Sequence, residues 1–364
     1  MPLPLILRWP NREPAHEPLL AQLKADQILG EEPVEGAVTS GLWPGIRSPA
    51  RGGNADVASA SREPWVDASG YLAAVQRALG HSGLLAHQHK NPEQGVPFDS
   101  LELAFVEARV NGGNFVLSVE PRFRGALLAG DAKALAAWAS LALTAAWMGK
   151  NEGLFQRPTL PTLTAIVEPG YASGEIANLL FRRGGSPALV SAATVPSPDP
   201  ARIVVLVAAG LKTVPPQAFA HAAAGATVVI DSAPEKSWAV VKQDTDRTIF
   251  SLGKGQVVAY HKRVQDPSEF ALDCIDLVTH KRRAARLWNA TSAIPLAKAG
   301  GLLHIVQYGS PIGTEIQARV QGLYRSATLL RPEAPPLPLK VYTRGSMTEV
   351  FPPNIHRLAV VQFV

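Results

Sequence analysis

Gly113–Glu120 reads GNFVLSVE: a glycine turn, an apolar run rich in strand-forming residues, and a carboxylate at its far end. Such a run reads as a β-strand. Three more strand candidates precede it, Leu3–Trp9 (LPLILRW), Gly36–Trp43 (GAVTSGLW) and Leu84–His89 (LLAHQH). Helical spacing of apolar residues fills the intervals at Glu17–Ile28 (EPLLAQLKADQI), Ala68–Leu79 and Ser100–Asn111. Asp67 or Ser69, and Asp99, stand where N-caps are expected. Asp131–Gly149 (DAKALAAWASLALTAAWMG) closes the segment with strong helix formers. Strands alternating with helices at this spacing predict a parallel sheet.

Parallel sheets bind ligands at the carboxyl ends of their strands. Those ends carry Trp9, Arg12 and Glu13 after the first strand, and Trp43 and Arg47 after the second. His87 and His89 follow the third, and Glu120 and Arg122 the fourth. Indole faces stack on sugar C–H surfaces, charged groups bind hydroxyls, and a carboxylate pair performs acid–base chemistry. Glu120 is the first catalytic candidate, with Asp67 or Glu13 as its partner; Trp9, Arg12, Trp43, Arg47, His87, His89 and Arg122 are substrate-binding candidates. Each has a plainer reading: Asp67 as an N-cap, Glu13 as a solvated turn residue, and the histidines as ordinary rim residues. His87 and His89 share one strand face, which suits a metal pair, but no third ligand is evident.

The texture changes at Pro158–Pro161 and again at Pro267, dividing the chain into 1–157, 158–265 and 266–364. The middle segment repeats the strand–helix alternation, with Arg202–Ala208 (RIVVLVA) and Gly225–Asp231 (GATVVID) as buried parallel strands. Its turn Gly253–Lys254–Gly255 precedes a strand, so it offers no helix N-terminus to a phosphate. The last segment opens with an amphipathic helix at Asp266–His280, read as a connector, and continues in short strands separated by Gly and Pro turns. That pattern predicts a β-sandwich.

Composition sets outer limits. The 364 residues are 46% hydrophobic and 18% charged, a globular balance. The net charge is +5, but the cations are scattered apart from HKRR at 280–283, which reads as a solvated helix end. No aromatic platform accompanies it, so nucleic acid is not an expected partner. A single cysteine, Cys274, excludes an internal disulfide. No apolar run approaches membrane-spanning length, so no membrane partner is expected. As written the chain reads as cytoplasmic; removal of a leader would make it secreted or periplasmic.

HAAAGATVVID and LGKGQVVAY, in their order and spacing, resemble the class I amidotransferase-like, flavodoxin-type domain in the middle of trimeric beta-galactosidases and similar bacterial barrel hydrolases. LLHIVQYGSP resembles a strand of the C-terminal sandwiches of glycosidases, and GLWPGIR, PWVDASGY and LLAGDAKALAAW resemble secreted barrel proteins of soil bacteria. The resemblance implies a multidomain α/β protein: a TIM-barrel-like domain, an amidotransferase-like domain and a β-sandwich. The middle segment lacks the nucleophilic Cys of active amidotransferases, which leaves it a structural or homo-oligomerisation role. Only four strand–helix units fit in the first segment, whereas a closed barrel needs roughly 200 residues or more, so the barrel is incomplete or unusually compact. Two functions follow: a glycoside hydrolase acting on a carbohydrate substrate without a cofactor, or a non-catalytic carbohydrate-binding or assembly protein on the same scaffold.

Overall fold

The computed structural model describes residues 3–40, 43–47, 65–87, 96–199, 201–233, 238–264, 267–279, 282–290, 292–309 and 312–364. It is a mixed α/β structure with several sheets. The first sheet contains β1 (Ile6–Arg8), β2 (Gln27–Leu29), β3 (Val38–Ser40), β6 (Leu84–His87) and β7 (Asn114–Ser118); β4 (Gly45–Arg47) and β5 (Trp65–Asp67) form a separate antiparallel ribbon. The spatial order is β2-β1-β7-β6-β3, every pairing is parallel, and β7 lies at the centre. Among the described residues the edge strands β2 and β3 do not pair, so five strands form an open sheet.

Helices α1 (Glu17–Leu23), α2 (Gly70–Ala78), α3 (Ser100–Val110), α4 (Pro121–Leu128), α5 (Ala132–Lys150) and α6 (Glu152–Phe155) accompany this sheet. The helix expected to run to Ile28 stops earlier. Lys24 adopts a left-handed conformation, and Asp26 accepts the Leu5 N–H at 2.7 Å, drawing Gln27–Leu29 into the sheet beside β1. α4 is a helix the sequence pattern did not reveal. α2 and α3 approach closely because position 70 is glycine: a Cβ there would lie 2.9 Å from the Glu107 carbonyl oxygen.

The middle sheet contains β8 (Thr164–Val167), β9 (Ala188–Ser191), β10 (Val205–Val207), β11 (Thr227–Ile230), β12 (Ala239–Gln243), β13 (Arg247–Leu252) and β14 (Gly255–Tyr260). Its parallel strands run in the order β9-β8-β10-β11-β14, the 2-1-3-4-5 arrangement of doubly wound sheets. The unforeseen hairpin β12–β13 extends the edge beyond β14. α7 (Tyr171–Arg182) and α8 (Pro216–Ala224) flank the sheet. α9 (Pro267–Asp276) was expected to be a connector to the last segment. Instead Phe270, Ala271, Cys274 and Ile275 pack into the middle core with Leu180 and Val205. Arg283 ends that helix by donating to the Ile275 carbonyl and pairing with Asp276 at 2.6 Å.

Two antiparallel sheets complete the chain. One contains β15 (Ala285–Trp288), β18 (Gln317–Gln321), β21 (Tyr342–Arg344) and β22 (Met347–Val350); the other contains β16 (Ala293–Lys298), β17 (Leu302–Gln307), β19 (Ala327–Arg331), β20 (Ala334–Leu339) and β23 (Leu358–Phe363). The period-2 pleat divides β17 and β23 between two cores. Leu303, Ile305, Ala359 and Val361 face the other antiparallel sheet. Leu302, Val306, Leu358 and Val360 pack with residues of α3 and α5. Burial on both faces explains why LLHIVQ is apolar almost throughout despite its antiparallel setting. No single helix among the described residues is long and apolar enough to cross a membrane.

The docking of α9 can be read through its sulfur. Cys274 is fully buried and the only cysteine, and burial pushes its thiol pKa up. Native protein should react with a thiol reagent at neutral pH about 100-fold or more slowly than urea-unfolded protein. Comparable rates would show that α9 is not held against the middle sheet.

Candidate functional site

The carboxyl ends of the first sheet converge beside Glu120. That residue follows the central strand β7, is buried, and occupies the N-cap position of α4. Neighbouring β1 leads into Trp9, and neighbouring β6 ends at His87.

Packing separates the expected rim residues. Leu7 and Trp9 share one pleat face and both enter the core, where Trp9 is 1% exposed. Its ring meets Trp138 edge-on at 5.8 Å, and its indole N–H donates to His16 Nδ1 at 3.1 Å. Trp9 is therefore a core residue, not the stacking platform expected from its position. The same His16 nitrogen accepts the Glu13 N–H at 3.2 Å, while Glu13 itself stays exposed in the turn. Arg12 is exposed and pairs with Glu17 at 2.7 Å. Arg122, on the first turn of α4, is exposed and stands over the Phe98 ring at 5.5 Å. Asp67 turns toward the middle segment, where Arg182 of α7 approaches it at 3.5 Å. Arg47 pairs with Trp65 in the β4–β5 ribbon, and nothing is described of its side chain. His89 lies outside the described residues.

Trp43 and His87 do come together, stacked with centroids 4.5 Å apart. The buried imidazole places Nδ1 3.2 Å from the Ser40 carbonyl oxygen and Nε2 3.4 Å from Ser69 Oγ. A carbonyl only accepts, so Nδ1 carries the proton and Nε2 is left to accept. Burial lowers the His87 pKa to about 4, because the charged ring would lose its hydration. Among the described residues no group of three His, Cys, Asp or Glu side chains could hold a metal ion.

Behind Ser69 lies Glu107 of α3, completely buried. Its Oε1 lies 2.7 Å from the Ser69 nitrogen and 2.6 Å from Ser69 Oγ, and its Oε2 accepts the Tyr308 hydroxyl at 2.6 Å. Burial raises the Glu107 pKa to about 7, against the opposing pull of these hydrogen bonds. When Glu107 is protonated it can donate to Ser69 Oγ, which then donates to His87 Nε2. The carboxylate form keeps the serine proton for itself and leaves that imidazole nitrogen without a donor. A catalytic triad needs its acid beyond the histidine, on Nδ1; here the acid sits on the serine. The chain of groups can share a proton, but it lacks the arrangement of a serine nucleophile.

The sequence reading missed Glu107, Tyr308 and Arg182. One signal was available: Glu102, Glu107 and Arg109 interrupt a helix that is otherwise apolar on every side, and such a helix has no wet face for them. All three are buried. At the switch point of the middle sheet, Glu168 and Asp231 accept the backbone N–H groups of Lys212 at 2.6 Å and Gly210 at 3.0 Å. Those carboxylates serve the loops there.

The fold has a counterpart among solved structures. It is similar to alpha-L-fucosidase isoenzyme 2 from Paenibacillus thiaminolyticus, with a TM-score of 0.55 and 10% identity over 81% of this chain and 62% of that one. The beta-galactosidases of Rahnella sp. R3 (TM-score 0.49, 12% identity, 81% of this chain and 57% of that one) and Bacillus circulans sp. alkalophilus (0.48, 8%, 80% and 61%) are matched more loosely. This chain therefore spans about three-fifths of the length of these structures. No protein-family model matches the chain, and no curated protein matches it either.

The two buried titrations oppose each other in stability. His87, its pKa lowered from 6.5 to about 4, adds stability above pH 6.5 that is lost as pH falls toward 4. Glu107, its pKa raised from 4.5 to about 7, adds stability below pH 4.5 that is lost as pH rises toward 7. Glu107→Gln should leave stability climbing from pH 4 to 6.5, and His87→Phe should leave it falling from pH 4.5 to 7. Each slope approaches about 1.4 kcal/mol per pH unit at most. Urea unfolding across this range checks both, and parallel profiles for wild type and variants would refute the assignment.

Proposed function

We propose that this chain is a carbohydrate-active protein of the glycoside hydrolase type, with Glu120 as the carboxylate that meets the sugar. The observation that carries the reading is positional: Glu120 follows the central strand of an all-parallel sheet, at the edge where such sheets bind ligands. The glycoside hydrolase-like fold supports it. The Trp43–His87 stack lies on the same edge, where the half-buried Trp43 would supply the apolar contact for sugar C–H groups. In a hydrolase, Glu120 would act as acid, base or nucleophile opposite a second carboxylate about 5–10 Å away.

A second reading is carbohydrate binding without hydrolysis. It draws support from the fate of the two expected partners, since Asp67 faces Arg182 and Glu13 stays in an exposed turn. Under either reading the middle sheet has a supporting role, of the amidotransferase-like kind without a nucleophilic cysteine. Self-association through that sheet would use the edge strand β12, where Val240 and Val241 stand exposed.

Hydrolysis of 4-nitrophenyl α-L-fucoside, 4-nitrophenyl β-D-galactoside and a panel of polysaccharides tests the choice. Wild-type turnover that falls about 10²–10⁴-fold in Glu120→Gln, with unchanged thermal stability, is the expected result. Turnover that survives the substitution would move the chemistry away from β7. No turnover from the wild type would put the binding reading first.

A further inference from the structure

A cavity of about 680 Å³ opens between the first turn of α3, the exposed flank of α5 and the end of β17. The volume is ordinary for a small-molecule site. The first and last segments of the chain build it, and the sandwich supplies its most elaborate part. Arg357 is 9% exposed. Its Nη1 donates to the carbonyl oxygens of Tyr308 at 3.3 Å and Gly309 at 2.9 Å, and its Nη2 pairs with the Asp99 carboxylate. Nε of the same guanidinium is buried and has no partner. The fork is thus locked in place, and the part of the pair a ligand can reach is mainly the half-exposed Asp99 carboxylate.

In the same first turn of α3 as Asp99, Glu102 accepts the hydroxyls of Ser140 at 2.8 Å and Thr144 at 2.6 Å from α5. Burial raises the Glu102 pKa, against the opposing pull of these two hydrogen bonds. Arg357 is already offset by Asp99, and Glu102 and His356 are the other titratable groups of the lining. With two carboxyl groups against one committed guanidinium, the lining does not favour a strongly anionic ligand. Ala136 and Ala137 on α5 and Pro97 beside α3 leave open, apolar wall between the polar groups. Alternating hydroxyl-binding groups and apolar wall suit a ligand with hydroxyls around its edge and C–H faces between them.

We propose that this cavity binds a short neutral saccharide, held through its hydroxyls by the Arg357–Asp99 pair and by Ser140 beside Glu102. The choice of a saccharide over another neutral polar ligand rests on the carbohydrate reading above. The site itself does not require hydrolysis at Glu120.

Isothermal titration of the full chain with lactose, D-galactose and L-fucose, each to about 20 mM, tests it, with D-galacturonate as the charged comparison. At least one neutral sugar should bind, and galacturonate should bind more weakly. Ala136→Trp, a change at an exposed helix position, should weaken binding at least about tenfold by filling the cavity, with the far-UV spectrum unchanged. Ser140→Ala should weaken it about threefold to tenfold, the worth of one hydrogen bond. No binding of any neutral sugar, equal binding by Ala136→Trp, or preference for galacturonate would overturn the proposal. Binding lost in Ala136→Trp without any wild-type hydrolysis would uphold this site and put the binding reading first. Hydrolysis without sensitivity to Ala136→Trp would do the reverse.

Discussion

The hydrogen bonds of Glu107 are the constraint around which this structure is assembled. A fully buried carboxyl is costly unless its oxygens are satisfied, and each donor here comes from a different part of the chain. Ser69 stands at the start of α2, and Tyr308 lies just beyond β17 of the sandwich. Removing either partner would strand a buried polar group, at a cost of about 1–3 kcal/mol. The interaction therefore specifies how the sandwich meets the first sheet more than it adds net stability. Nearby, Asp67 and Arg182 make the corresponding link between the β4–β5 ribbon and α7 beside the middle sheet.

The setting of α3 follows from this arrangement. Every residue of Ser100–Val110 is buried, because the helix lies between the first sheet and the five-stranded sandwich sheet. Its apolar residues serve both sides, and its charged residues must each find a partner inside. Glu102 finds Ser140 and Thr144, Glu107 finds Ser69 and Tyr308, and Arg109 finds the carbonyl oxygens of Leu3 and Pro4 at 3.0 Å. Leu and Val side chains from β17 and β23 close the packing, each worth about 1.5–3 kcal/mol when fully buried.

This geometry distributes polar chemistry unevenly. The switch point of the middle sheet is occupied by its own loop contacts, as Glu168 and Asp231 show. The edge of the first sheet keeps Glu120 and the Trp43–His87 stack, and the junction with the sandwich keeps an open cavity. These two places both border α3 or the strands beside it. Contacts between segments shape them as much as any single segment does.

The alternating strands and helices of the first two segments and the short strands of the third could be read along the chain. These are local properties: pleat and helix periods are written in neighbouring residues, and turns in Gly and Pro. The position of Glu120 after a strong strand was legible for the same reason. The fate of Trp9, the attachment of α9, the turn of Asp67 toward Arg182 and the partners of Glu107 were not. Asp99 and Arg357 stand 258 positions apart, and nothing near either one announces the other. Sequence by itself determined which segments become strands and helices and where the polar residues fall along them. Only the tertiary structure decided which of those residues meet, because burial and pairing depend on what packs across the chain, and that is settled by long-range contacts.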